Sequence, residues 1–348
     1  MNSHCVDIQT LPAIFLMPLS EDKIIGKYFA PLSKGNAAAC GLVDDCALLG
    51  ASPDGSRVVT SDMLIEGVHF FADDHARDIA WKALGVNISD IVSSGGIPEY
   101  YLLSIALNDS IDESWLADFS VGLGRAQSKF GLRLIGGDTT RTEGPLAISI
   151  TAIGSVPASG HKMRSGARAG DHVYTTGTIG DSALGCALRR DPSLSSNWGI
   201  SDQDRKFLVG RYLRPAPRLE MIEIVREYAS ACMDVSDGLI LDFDRLGKAS
   251  NVGAVMMVDD VPLSDVARRV VGMRVDMLGK LLTGGDDYEL LLTVPAAMED
   301  SFLGAVGRLE YAVQRIGTCT DKSGGIEWLK TSGEKLCVET RGFDHFSL

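Results

Sequence analysis

The chain has 348 residues, 45% hydrophobic and 23% charged, a globular composition for one large or two ordinary domains that excludes a mainly disordered protein. Its 33 basic and 46 acidic side chains leave a formal charge of −13, which repels a phosphate backbone and argues against a nucleic-acid partner. Seven cysteines with no C-x-x-C pair or tight cluster exclude a disulfide framework and a zinc site, and point to reduced thiols in the cytoplasm.

The apolar run 11–19 is too short to span a bilayer, and neither a basic region before it nor a small-residue cleavage pattern after it marks a signal peptide. No membrane partner is expected. Residues 1–20 read as an extension, with Met17 a second possible start. Strand-like and helix-like segments then alternate, predicting an α/β or α+β fold. Residues 57–65 (RVVTSDMLI) form a strand, and 76–94 a helix with Ile79, Ala80, Ala83, Leu84, Asn87, Ile88 and Ile91 at helical spacing. A strand at 100–107, a helix at 113–129 stopped by Gly131, a short strand at 132–135 and a nearly continuous apolar strand at 146–156 follow. Between 157 and 170, Pro157, Gly160, Gly166 and Gly170 interrupt a basic stretch, which divides the chain into domains of 21–157 and 158–348. The second is read as strand 171–176, helix 182–190, polar loop 191–201, a stiff connector 214–217 and helix 218–229. Strand 232–235, helix 238–249, strands 253–258 and 288–294, and a β-rich tail complete it. Two α/β domains of similar size fit this pattern.

Acidic residues occur where acids are normally unwelcome. Asp44 and Asp45 sit inside an apolar run, Asp62 interrupts a strand, and Asp90 lies near the end of an apolar helix. Asp138 follows Gly136-Gly137 after a predicted strand, and Asp234 and Asp237 flank Ser236 at a strand terminus. Each alone also reads as a turn former or helix cap. Their number, in a chain without a competing histidine or cysteine cluster, favours hard-cation binding of the kind that bridges to phosphate. Gly136-Gly137 and Gly284-Gly285, both placed after predicted strands, offer bare backbone N–H groups to an anion, although such pairs are also ordinary turns. Neither a Walker A nor a dinucleotide glycine motif is present.

Six segments carry a resemblance: Asp44-Asp-Cys-Ala47, Thr60-Ser-Asp-Met-Leu-Ile-Glu-Gly-Val-His-Phe70, Ala83-Leu-Gly-Val-Asn-Ile-Ser-Asp90, Ile135-Gly-Gly-Asp-Thr-Thr140, Met233-Asp-Val-Ser-Asp-Gly-Leu239 and Thr283-Gly-Gly-Asp-Asp-Tyr-Glu289. In this order they resemble the motif set of the thiamine-monophosphate kinases, members of the aminoimidazole-ribonucleotide-synthetase-like superfamily. The similarity runs from about residue 20 to the closing Gly342-Phe-Asp-His-Phe346. It implies a two-domain fold, the N-terminal domain forming the sheet of a homodimer and the C-terminal domain being α/β. It implies ATP-dependent phosphorylation of thiamine monophosphate to thiamine diphosphate, assisted by several magnesium ions. By the same resemblance Asp45, Thr60, Ser61, Asp62, Asp90, Asp138, Asp234 and Asp237 would hold metal. Gly137, Asp138, Arg164 and Ser236 would contact ATP, and His69, Asp286 and Phe343 the thiamine phosphate. No residue is expected to shuttle a proton. The family usually has glutamate where this chain has Asp286, which keeps the charge and shortens the reach. From the residues alone His69 reads as a core histidine, Phe343 as packing and Arg164 as surface. Sister enzymes that activate other acceptors with ATP differ in an N-terminal reactive Cys/Lys loop or a C-terminal cysteine tail, which this chain does not show.

Overall fold

The computed structural model describes residues 20–34, 37–52, 55–157, 160–338 and 340–344. The expectations for the first twenty residues therefore lie outside it, but for Ser20. Helix α1 (Glu21–Ile24) leads through short helical turns to a first, five-stranded sheet. Its strands are β1 (Ala47–Ser52), β2 (Gly55–Ile65), β3 (Ile97–Leu107), β4 (Arg133–Arg141) and β5 (Ala147–Val156), in the order β1-β2-β5-β3-β4. All neighbours are antiparallel except the parallel pair β3–β4. Burial alternates strictly along β5, so Ile148, Ile150 and Ala152 face inward. Val58, Thr60 and Leu64 of β2 do the same. This inner face is covered by α2 (Ala76–Ser93), packed in turn on α3 (Glu113–Phe130). Asp112 caps α3 by accepting from the Trp115 N–H at 2.7 Å, and Gly131 ends it at φ +80°, as its position in the sequence predicted.

The second sheet has six strands: β6 (His172–Thr176), β7 (Ala231–Asp234), β8 (Val252–Met257), β9 (Leu290–Val294), β10 (Val313–Asp321) and β11 (Ile326–Leu329), ordered β11-β8-β10-β6-β9-β7. Around it lie α4 (Asp181–Arg190), α5 (Leu194–Asn197), α6 (Asp202–Leu213), α7 (Ile222–Tyr228), α8 (Leu239–Ser250), α9 (Asp265–Met273), α10 (Met277–Leu282) and α11 (Glu299–Val306). One apolar core runs from the first sheet through α2 into β9 and Phe302, joining the two halves. Helix α2 is buried on nearly every side because it is sandwiched between them.

Several expectations change. The strand at 132–135 is nine residues long and carries Gly136, Gly137 and Asp138 within it, not after it. Gly284-Gly285 follows helix α10, not a strand. The loop 191–201 contains the turn α5, and α6, α9, α10 and α11 occupy stretches that showed no clear pattern or read as β-rich tail. Short helices with small apolar faces give little periodic signal.

Glu289 locks the second half. Fully buried, it accepts from Arg211 at 2.7 Å, from Arg218 Nε at 2.6 Å and a second Arg218 nitrogen, and from the Thr176 hydroxyl at 2.7 Å. Arg218 also lies 4.0 Å from the Tyr311 ring centroid. Breaking a buried ion network leaves its cations uncompensated. Glu289→Gln is therefore expected to cost about 3–5 kcal/mol of stability in urea denaturation.

Candidate active site

A cavity of about 770 Å³ opens where the two halves meet. The loop before β1 brings Asp44 and Asp45, the inner face of β2 brings Thr60 and Asp62, and the last turn of α2 brings Asp90. The turn from β7 into α8 adds Ser236 and Asp237. One carboxylate oxygen from each of Asp45, Asp90 and Asp234 lies within 4.8 Å of the other two. The Thr60 hydroxyl donates to Asp90 Oδ2 at 2.6 Å, while Asn87 of α2 accepts from the Asp62 N–H at 3.0 Å. These bonds register strand and helix so that their acids converge.

Countercharge is close but incomplete. Arg164 donates to Asp45 through Nε at 3.1 Å and through a terminal nitrogen, and its backbone N–H donates to Asp44 at 3.2 Å. Arg245 pairs with Asp237, and both Arg245 and Lys248 line the cavity. The carboxylate of Asp242 accepts from the N–H groups of Ser236, Asp237 and Gly238 at 3.0–3.1 Å, fixing that turn and occupying amides of the kind that bind phosphate elsewhere. Desolvation, then the charges of Asp62, Asp234 and Asp45, push the Asp90 carboxyl well above the usual range. Desolvation and Asp45 raise Asp234 likewise and hold Asp44 at about 6. Asp44 Oδ2 and Asp234 Oδ2 are buried with no hydrogen-bond partner. Unsatisfied anionic oxygens grouped in this way are a donor set for a hard divalent cation.

A second polar cluster lies beside the first. His69 closes the turn after β2: its Nδ1 accepts from the Ile65 N–H at 2.9 Å, which leaves the proton of the neutral ring on Nε2. Lys82 of α2 donates to the His69 carbonyl at 2.8 Å and to Asp286 Oδ2 at 2.9 Å. Tyr288 donates to Asp286 Oδ1 at 3.2 Å. Its hydroxyl is raised by burial and then by the charges of Asp286, Asp62, Asp234 and Asp237, so Tyr288 stands between the two clusters. Asp286 and Tyr288 hold φ of +69° and +50°, rare for residues other than glycine. Bonds from Asp286 N–H to Ser236 O and from Tyr288 N–H to Val235 O, both 2.8 Å, maintain them. The Phe343 N–H donates to Asp237 O at 2.8 Å, which brings the C-terminal tail to the rim.

Thus Asp45, Thr60, Asp62, Asp90, Arg164, Asp234, Ser236 and Asp237 are gathered at the cavity, with His69 and Asp286 together nearby. Ser61 also lines the cavity, but its hydroxyl shares a 3.0 Å hydrogen bond with Thr151 on the outer face of the sheet. Gly137 and Asp138 are not brought in. They lie on exposed β4, where Asp138 stands in the row Met63–Ser149–Ser104–Asp138 on that outer face. Sequence reasoning singled out Asp44 among the acids without giving it a role, and missed Lys82, Tyr212, Asp242, Arg245 and Lys248. A lysine within an apolar helical run was the one available signal.

The family model for the AIR synthase related protein N-terminal domain matches residues 43–156, and that for its C-terminal domain matches 168–330. The thiamine-monophosphate kinase of Escherichia coli K12 is 37% identical over 333 residues, 95% of this chain and 99% of the relative. The chain belongs to the thiamine-monophosphate kinase family. Among solved structures, AaThiL complexed with AMPPCP and TMP has a TM-score of 0.79 at 28% identity, covering 95% of this chain and 99% of that one. The thiamine-monophosphate kinase of Stenotrophomonas maltophilia K279a has a TM-score of 0.72 at 35% identity, with 89% and 98% covered. Among the described residues of this family member, no helix is long and apolar enough to cross a membrane.

The raised carboxyls give the cluster a signature in stability. Between the ordinary aspartate value of about 3.9 and that of Asp44, near 6, the native state holds more protons than the unfolded chain, so stability falls as pH rises. In chelator, the melting temperature is expected to drop from about pH 5 to about pH 7, with a flatter profile for Asp90→Asn. A rise across that window in the chelated protein would contradict the assignment.

Proposed function

We propose that this chain transfers the γ-phosphoryl group of ATP to thiamine monophosphate, giving thiamine diphosphate and ADP. The observation that carries this is the convergence of six or so carboxylates with Arg164, Arg245 and Lys248 in one cavity, beside the His69–Asp286 cluster. In the related complex, AaThiL holds AMPPCP, an ATP analogue, together with TMP.

The donor set fits magnesium: all oxygen, grouped, and with Asp234 Oδ2 unsatisfied. Asp45, Asp90 and Asp234 would form its centre, with Thr60, Ser61, Asp62, Asp138 and Asp237 around further ions. Bound magnesium supplies charge neutralisation between two polyanions that otherwise repel. The protein's own groups do the rest. Arg164 and Ser236 orient the ATP phosphates, and His69, Asp286 and Phe343 hold the thiamine phosphate. The attacking phosphate oxygen is largely ionised near neutral pH, its second pKa being about 6, so no side chain has to remove a proton. Alignment and electrostatics carry the rate.

Residues 21–157 then supply most metal ligands and 158–348 most of the phosphate and acceptor contacts. The outer face of the first sheet and its β4 edge expose Leu49, Met63, Tyr100, Leu134 and Ile135, the kind of surface a partner covers. We take this face as the homodimer interface, through which Gly137 and Asp138 reach the partner subunit's cavity. Free thiols at Cys40, Cys46, Cys186, Cys232, Cys319 and Cys337 suit a cytoplasmic enzyme.

Incubation of ATP and thiamine monophosphate with and without magnesium, read by mass spectrometry, should give thiamine diphosphate only with the metal. Asp62→Asn should lower kcat/KM about 100-fold or more, a loss typical of removing transition-state charge stabilisation. If Asp138 acts across the interface, mixing the inactive Asp138→Asn and Asp90→Asn proteins should restore about a quarter of wild-type activity, because half the dimers then carry one intact site.

A further inference from the structure

Lys82 sits in the middle of α2 with its side chain 2% exposed, at a position where an apolar residue would satisfy the helix more cheaply. Its ammonium has three partners: the His69 carbonyl at 2.8 Å, Asp286 Oδ2 at 2.9 Å and the Tyr212 ring, 3.8 Å from its centroid. The Tyr212 hydroxyl also donates to the His69 carbonyl, at 3.1 Å. His69 belongs to the turn after β2, Asp286 to the loop before β9 and Tyr212 to α6, so one ammonium ties three separate segments. It also stands against a backbone held in the left-handed region at Asp286, which needs surrounding contacts to persist.

We propose that Lys82 is a positioning residue for the phosphorylated acceptor, fixing the Asp286 carboxylate and the His69 turn relative to each other. This rests on the reading of His69 and Asp286 as acceptor-binding residues. Without the ammonium, the Asp286 carboxylate loses its only ion pair among the described residues, and the His69 carbonyl loses one donor while keeping that of Tyr212. None of the residues assigned to ATP is bound to the ammonium, and Ser236 meets Asp286 only through backbone atoms, so the two substrates should respond differently.

The test is steady-state kinetics with each substrate varied, on Lys82→Met, Asp286→Asn, the double variant and His69→Ala. Lys82→Met should raise KM for thiamine monophosphate about 10-fold while KM for ATP and kcat stay within about threefold. In the Asp286→Asn background the same change should add less than about threefold, since contacting residues in one network are non-additive. Equal shifts in both KM values, a lowered melting temperature with unchanged KM, or fully multiplicative effects would each overturn the proposal. If His69→Ala and Asp286→Asn leave KM for thiamine monophosphate at the wild-type value, the acceptor site itself is misplaced and Lys82 falls with it. If they raise it and Lys82→Met does not, only the role of Lys82 fails. Should Lys82→Met not fold by circular dichroism, Tyr212→Phe decides. It keeps the ring against the ammonium, removes the hydroxyl with its bonds to the His69 carbonyl and the Cys186 thiol, and should raise the same KM about threefold. An unchanged KM there would overturn the proposal.

Discussion

Everything at the centre of this molecule follows from forcing carboxylates together in a partly dry cavity. Asp45, Asp90 and Asp234 come from a loop, a helix and a strand end far apart in sequence, yet their oxygens share a space of 4.8 Å. Burial first, and then like charges that close, push the Asp90 and Asp234 carboxyls well above the usual range. Arg164 answers part of the charge at Asp45, and Arg245 part of that at Asp237 and Asp242. The remainder is an electrostatic deficit of the kind that a hard cation would satisfy. On the proposed reading, the net charge of −13 is compatible with an anionic substrate, because the acids would meet phosphate only through metal.

Such a cavity needs a rigid frame, and α2 provides it. The helix is buried almost throughout, and four of its polar residues each serve a different neighbour. Asp78 pairs with Arg214, Lys82 with Asp286, Asn87 with the backbone of Asp62 and Asp90 with Thr60. Lys82 and Asp90 are eight residues apart, about 12 Å along a helix, so one element spaces the His69–Asp286 cluster from the carboxylate cluster. Behind it, Glu289 clamps Arg211 and Arg218 and holds the segment that carries Asp286 to Tyr288. The site is therefore set by core packing more than by loops.

Much of this was legible in the chain. The acids stood out because strands and helix ends in apolar runs rarely carry them, and the structure gathers Asp45, Asp62, Asp90, Asp234 and Asp237 around one space. The long elements with strong periodicity, such as α2, α3 and β5, emerge close to where the pattern put them. What could not be read was partnership. Nothing in Met233-Asp-Val-Ser-Asp-Gly238 says that its amides are taken by Asp242, or that Lys82 turns inward toward residues 69 and 286. Arg245 and Lys248 on an amphipathic helix look like ordinary solvated positions until the cavity is seen beneath them. Gly137 and Asp138 differ in another way: they read as following a short strand, whereas they lie within the edge strand β4.

Asp286 shows how local shape and long-range charge combine. Its side chain is one methylene shorter than the glutamate usual in the family, which by itself would withdraw the carboxylate from any fixed point. Here a left-handed backbone at φ +69° carries that carboxylate, and Lys82 and Tyr288 each bind one of its oxygens. A carboxylate bound at both oxygens loses the rotational freedom that a longer, loosely held side chain would keep. It still offers lone pairs, since each oxygen can accept more than one hydrogen bond. Shorter reach is then offset by firmer placement, and the burden of that placement falls on a lysine buried in the helix that also carries Asp90.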